Sequence, residues 1–286
     1  MTIPVVRGMA AIAADYDALL LDLWGVVHDG VAPFDGVIDC LARLRHAAKR
    51  VIILSNAPRR GHHSAARLDA MAIGADSYTA IITSGDATRL ALAGRVEPWS
   101  RALGTRYCYL GKAADADLLD GLDYAPVAAP EDADFLLVTG SNETGGEDAV
   151  LDRAAGLGLV MVCANPDLEV VKGGVREPCA GAYAERYESL GGTVHRLGKP
   201  GAEVYDLCFE ILDPLDRRRI LAVGDGLATD ILGARAAGLD SLLVTGGLLA
   251  DAWGIDHATP PEPARLEAVC REAGVTPTAA IPTFVW

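Results

Sequence analysis

Short apolar runs at residues 17–23, 50–54, 80–83, 219–224 and 241–246 alternate along this chain with segments of helical periodicity. The segment 36–48, for instance, carries Val37, Cys40, Leu41 and Leu44 at helical spacing. Further helices are expected at 64–73, from Ser84 onward, at 203–211 and at 229–237. That alternation is the pattern of a parallel sheet covered by helices, so the fold class is α/β. A second set of strand runs, at 106–111, 134–140 and 159–165, comes with helices at 148–156 and 181–190 and interrupts the first set. The middle therefore reads as an insertion, residues 86–194, within a flanking domain made of residues 1–85 and 195–286. The Pro-rich stretch 259–263 leads to a last helix at 264–273, and the closing IPTFVW is an apolar tail that needs a surface to cover.

The 286 residues suffice for two moderate domains. A formal net charge of −14 argues against a nucleic-acid partner, which would require clustered Lys and Arg. The densest basic run, DRRRI at 216–220, reads as a solvated turn before a buried strand. No apolar run approaches the ~20 residues of a membrane span, so no membrane partner is expected. The N-terminal stretch is interrupted by Arg7, Asp15 and Asp17 and lacks a signal-peptide core, which makes the cytoplasm the expected compartment. Cys40, Cys108, Cys163, Cys179, Cys208 and Cys270 form no CxxC pair and read as core thiols in a reducing environment.

In a parallel α/β sheet, ligands sit outside the carboxyl ends of the strands, so the residues just after each apolar run carry the functional information. Asp22 follows LLL, Ser55 and Asn56 follow VIIL, Asp225 follows ILAVG, and Lys199 lies in RLGKPG before a helix that leads to that last strand. Each alone has an ordinary explanation as a turn residue, a helix cap or a loop charge, and Asp230 could simply favour a first helical turn. Together they suit phosphoryl transfer. A carboxylate can attack phosphorus, a hydroxyl and an amide can hold phosphoryl oxygens, an ammonium can neutralise charge, and a second carboxylate can share a divalent metal. Oxygen ligands and a phosphate ester favour Mg²⁺ over Zn²⁺.

DLWGVVHDG, LSNAPRR, GKPG and VGDGLATDILGA, in that order, resemble motifs one to four of the haloacid-dehalogenase-like hydrolase superfamily, over nearly the whole chain. ITSGDAT at 82–88, CANPD at 163–167 and GAYAERYESLGG are similar to class IIA members, the sugar- and nucleotide-phosphatase type. The resemblance implies a Rossmann-like, doubly wound parallel core with an inserted α/β cap of the C2 type. It also implies a Mg²⁺-dependent phosphatase of a small phosphorylated metabolite, working through an aspartyl-phosphate. Asp22 would be nucleophile and metal ligand, and Ser55 and Asn56 would bind the phosphoryl group. Lys199 would stabilise charge, Asp225 would ligate the metal, and Asp230 would support them from behind. A homodimer is compatible with this cap class.

Two residues after the nucleophile the family offers a backbone carbonyl to the metal and, in its phosphatases, an Asp for proton transfer; here the residue is Trp24. The carbonyl survives the change but the acid does not, since an indole N–H is no acid at neutral pH. A slow enzyme is therefore expected, with a catalytically impaired metal- and phosphate-binding protein as the alternative. A dehalogenase is less favoured, because the Asp225 carboxylate has no purpose without a phosphate. His28 and Asp29, on a hairpin expected to be solvated, are candidate proton donors. Arg59 and Arg60 either add charge for an anionic substrate or start a solvated helix, and Asn165 is a candidate substrate contact.

Overall fold

The computed structural model describes residues 2–142 and 145–286. The strands run in chain order as β1 (Ala18–Leu21), β2 (Arg50–Ser55), β3 (Ala80–Thr83), β4 (Arg106–Leu110), β5 (Ala125–Val127), β6 (Phe135–Val138) and β7 (Val160–Cys163). They continue as β8 (Glu169–Lys172), β9 (Val175–Pro178), β10 (Thr193–Arg196), β11 (Ile220–Gly224), β12 (Asp240–Val244) and β13 (Ala279–Ile281). A six-stranded sheet has the order β13-β12-β11-β1-β2-β3, and a five-stranded sheet has the order β10-β7-β6-β4-β5. All pairings in both sheets are parallel, while β8 and β9 form an antiparallel hairpin.

Side chains of the six-stranded sheet divide between two cores with the period of two that a strand imposes. Leu19 and Leu21, Val51 and Ile53, and Leu221 and Val223 pack on one face with Leu41 and Leu44 of helix Val37–His46. Leu20, Ile52, Leu54, Ile220 and Ala222 pack on the other face with Val204, Tyr205 and Cys208 of helix Ala202–Leu212. Burial on both faces is why these strands read as unbroken apolar runs, and it makes the sheet doubly wound. Each fully buried Leu or Ile contributes about 1.5–3 kcal/mol. Helix Ser84–Gly94 links the two sheets: Ala87 joins the second of these cores, and Leu92 joins the core of the five-stranded sheet. Its first turn is capped by Thr83, whose Oγ1 accepts the Asp86 N–H at 2.9 Å.

β1 lies between β2 and β11, so the chain departs from it in both directions and leaves a crevice at its carboxyl end. Several elements differ from expectation. β10 pairs with β7, so position 194 falls inside a strand of the five-stranded sheet. The helix expected at 229–237 is divided, with a π-turn at Leu227–Ile231 before a short α-helix at Leu232–Ala236. The C-terminal tail finds its surface: β13 extends the sheet edge, Phe284 is fully buried, and the Val285 carbonyl accepts the Met9 N–H. All six cysteines are buried and free, and Arg217 and Arg218 are exposed as expected of a solvated turn. Among the described residues no helix is long and apolar enough to cross a membrane.

Candidate active site

Asp22 leaves the end of β1 with its N–H donated to the Val223 carbonyl of β11, which fixes it between the two strands. Lys199, on the loop after β10, is 2% exposed and donates from Nζ to Asp22 Oδ1 and to Asp230 Oδ1, each at 2.7 Å. The π-turn brings Asp230 to this place: the N–H groups of Asp230 and Ile231 both donate to the Gly226 carbonyl, and Asp230 Oδ2 accepts the Gly226 N–H at 3.1 Å. Asp225, at the end of β11, accepts the Leu248 N–H on Oδ2 at 2.9 Å. Gly25 passes close to that carboxylate at φ +74°, and a Cβ there would lie 2.0 Å from Asp225 Oδ2.

Burial alone would lower the Lys199 pKa, but Asp22, Asp230 and Asp167 hold it well above the ordinary value. Burial raises Asp22, with Lys199 opposing, and burial followed by the charges of Asp22 and Asp230 raises Asp225. One ammonium thus faces several buried carboxylates, an arrangement that a divalent cation relieves. Oxygens of Asp22, Asp225 and Asp230 all lie within 4.8 Å of one another. Asp230 spends both its oxygens on Lys199 and Gly226, whereas Asp22 and Asp225 each keep one oxygen without a donor among the described residues. An all-oxygen donor set of this kind fits a hard cation.

Ser55 and Asn56 follow β2, and both are buried. Ser55 Oγ accepts the Ala57 N–H at 3.2 Å, which leaves its own proton to donate. The Asn56 amide is more engaged than a simple phosphate contact. Its Oδ1 accepts the Lys199 N–H at 2.8 Å, and its Nδ2 donates to the Lys199 carbonyl at 3.2 Å and to Asp167 Oδ1 at 2.8 Å. Asn165 turns inward to its own loop, with Oδ1 accepting the Asp167 N–H at 3.0 Å.

Two cavities meet at this point. One, of about 230 Å³, is lined by Asp22, Lys199, Asp225, Asp230 and Leu248; the other, of about 120 Å³, by His28, Arg59, Arg67, Lys112 and Asn165. Trp24, Asp167 and Val170 line both. The indole of Trp24 is wedged there, with the Arg67 guanidinium 5.5 Å from its ring, the His28 ring edge-on at 5.0 Å and the Gly30 backbone against it.

The hairpin that carries His28 is not solvated at that residue: His28 is fully buried. Its Nδ1 accepts the Gly30 N–H at 3.0 Å, which assigns the ring proton to Nε2, and burial pushes its pKa down to about 4. A neutral imidazole of this kind is a poor acid at neutral pH. For Asp29, burial would raise the pKa, but two backbone N–H groups, from Val31 and Ala32 at 2.8 Å each, hold it below the ordinary value, so it stays ionised. Arg59 is not a solvated helix start either, because it pairs with Asp115 at 2.8 Å. Arg60 is the residue before helix Gly61–Ala70. Arg67 is invisible to strand-end logic, because it lies inside a helix, whereas Asp167 ends an Asn-Pro-Asp stretch after a strand that reads either as a substrate contact or as an ordinary turn.

Residues 19–125 match the family model described as haloacid dehalogenase-like hydrolase, and residues 196–273 match a second, HAD-hydrolase-like model. The chain is 32% identical over 257 residues to the D-glycerol 3-phosphate phosphatase of Mycobacterium tuberculosis, covering 88% of this chain and 69% of that protein. A haloacid dehalogenase-like hydrolase from Brucella suis 1330 superimposes with a TM-score of 0.82 at 29% identity, over 98% of this chain and 100% of the other. The glycerol phosphate phosphatase of M. tuberculosis in complex with magnesium superimposes with a TM-score of 0.66 at 30% identity, over 83% of this chain and 70% of the other.

Proposed function

Because the chain belongs to the haloacid dehalogenase-like hydrolase superfamily, we propose that it is a Mg²⁺-dependent phosphomonoesterase of a small phosphorylated metabolite, acting through an aspartyl-phosphate at Asp22. The observation that carries this reading is the buried Lys199 bridging Asp22 and Asp230 beside Asp225. A carboxylate oxygen of Asp22 attacks phosphorus and the alcohol departs; water then attacks the phosphorus of the acyl phosphate, releasing phosphate and restoring Asp22. Lys199, fixed in its charged form, neutralises charge between nucleophile and phosphoryl group. Ser55 donates its hydroxyl to a phosphoryl oxygen, and Asn56 offers the Nδ2 hydrogen that now reaches Asp167.

Asp22 and Asp225, with the Trp24 carbonyl, are the residues that would hold Mg²⁺, and Asp230 supports them through Lys199. The cation supplies positive charge between a carboxylate nucleophile and an anionic ester. The glycerol phosphate phosphatase complexes with magnesium and with calcium support a divalent ion. The inserted unit, from residue 86 through the end of β10, acts as a cap over a core formed by the flanking segments; the membership of the two sheets supports this division.

Phosphate release from a panel of phosphate esters, with Mg²⁺ and with excess chelator, tests the reading. Release that requires Mg²⁺ and is abolished by Asp22→Asn is expected. Release from no ester, or release indifferent to Asp22→Asn, would sink it.

A further inference from the structure

The ester oxygen of an ordinary alcohol needs a proton as its bond to phosphorus breaks, and the residues nearest Asp22 in sequence do not supply one. Trp24 has no acidic proton, His28 is neutral with Nδ1 engaged, and Asp29 is an ionised carboxylate with its Oδ1 tied to the backbone. Asp167, from the loop that follows β7, lies on the wall common to both cavities, beside Trp24. We propose that Asp167 is the proton-transferring residue of the reaction; this rests on the phosphomonoesterase reading above.

Three neighbours fix the position of Asp167. Asn56 Nδ2 donates to its Oδ1 at 2.8 Å, Asn165 Oδ1 accepts its N–H at 3.0 Å, and its carbonyl accepts the Gly181 N–H at 3.0 Å. The last contact requires glycine, since a Cβ at position 181 would lie 2.2 Å from the Pro166 carbonyl oxygen and 2.5 Å from that of Asp167. Oδ2 has no hydrogen-bond partner among the described residues, so one carboxyl oxygen is held and the other is available. The charged groups around it are Lys199, Asp22 and Asp230, and the thiols of Cys163 and Cys179 stay neutral with pKa values pushed up to about 12. Burial, reinforced by Asp230 and opposed by Lys199 and Asn56, leaves Asp167 above the ordinary carboxylate range, the direction an acid needs.

The proton balance closes over two steps. Protonated Asp167 gives its proton to the ester oxygen as the P–O bond breaks, the electron pair stays on that oxygen, and the alcohol departs. The carboxylate then takes a proton from the water that attacks the aspartyl-phosphate. The P–O bond to Asp22 breaks with its electron pair returning to Asp22, and Asp167 is protonated again.

Asp167→Asn tests this, because its amide oxygen can still accept from Asn56. Two substrates are compared with Mg²⁺: glycerol phosphate, whose alkoxide needs a proton, and p-nitrophenyl phosphate, whose phenolate does not. The expected result is a fall in kcat of about 10²–10⁴-fold on glycerol phosphate, loss of the alkaline limb of its pH profile, and a first-turnover burst of nitrophenolate that keeps its wild-type rate within a few-fold while later turnovers slow with the loss of the base. The retained burst also reports a folded site. Loss of the nitrophenolate burst in step with glycerol phosphate turnover, or a raised KM with unchanged kcat, would mean that Asp167 only positions Asn56 or substrate, and would overturn the proposal. Wild-type rates on both esters would overturn it too, while an inactive Asp22→Asn control leaves the wider reading standing. If the wild-type protein releases phosphate from no ester of the panel, both fall.

Discussion

His28 shows how one buried side chain shapes the wall of the site. Its Nδ1 ties down the Gly30 N–H while its ring meets the edge of Trp24, so it braces the indole. Its folded pKa of about 4 lies below the 6.5 of a free histidine, so between these values the unfolded chain binds the extra proton. The stabilisation is complete above about pH 6.5 and is lost as the pH falls towards 4, a change of about 3 kcal/mol across that window. Urea unfolding of the metal-free protein at pH 7 and pH 5 should show a smaller drop for His28→Gln than for the wild type. Equal drops would show that His28 is not held neutral. At this scale the sequence was informative for Asp22, Ser55, Lys199, Asp225 and Asp230, because each stands where a strand or a helix-leading loop ends. It was silent on Arg67, whose place depends on which face its helix turns to Trp24, and left two readings open for Arg59, whose partner Asp115 is far away in sequence.

Strands buried on both faces were legible because nothing polar interrupts them, and β1, β2 and β11 follow their apolar runs closely. β5, β10 and β13 form edges of their sheets; exposed and half-exposed positions blur the pattern in β5 and β10, and the three buried residues of β13 are too few to carry one. The β8–β9 hairpin carries its own local signal. Gly173 and Gly174 form a two-residue turn, both with positive φ, between the runs EVVK and VREP. The hairpin bears on the site: Val170 and Val171 line the larger cavity, and the Gly173 N–H donates to the Asp29 carbonyl on the hairpin of the core. If β8–β9 covers bound substrate, amide exchange across Val170–Glu177 should slow when Mg²⁺ and vanadate are added together. Unchanged exchange, with vanadate inhibition demonstrated in the same sample, would show that the hairpin is a fixed wall rather than a cover.

At the scale of the molecule, the larger cavity takes its walls from residues that follow strands of both parallel sheets, Asp22 after β1, Asp225 after β11 and Asp167 after β7. Asp22, Lys199 and Asp225 come from the flanking segments, and Asp167, Val170 and Val171 come from the insertion. The order of the motifs disclosed the core and the existence of an insertion, since local periodicity and strand ends carry that information. Which insertion residues reach the core was not legible, because it depends on how the two units meet, and no local pattern encodes that. The proposed reaction makes one chemical commitment above all others, that phosphorus is transferred to Asp22 before it reaches water. Quenching the wild-type protein during turnover with borohydride, which reduces an acyl phosphate to an alcohol, and mapping its peptides by mass spectrometry tests this directly. Reduction at Asp22, dependent on both substrate and Mg²⁺, is the predicted result; steady phosphate release with Asp22 unmodified under the same quench would contradict the account.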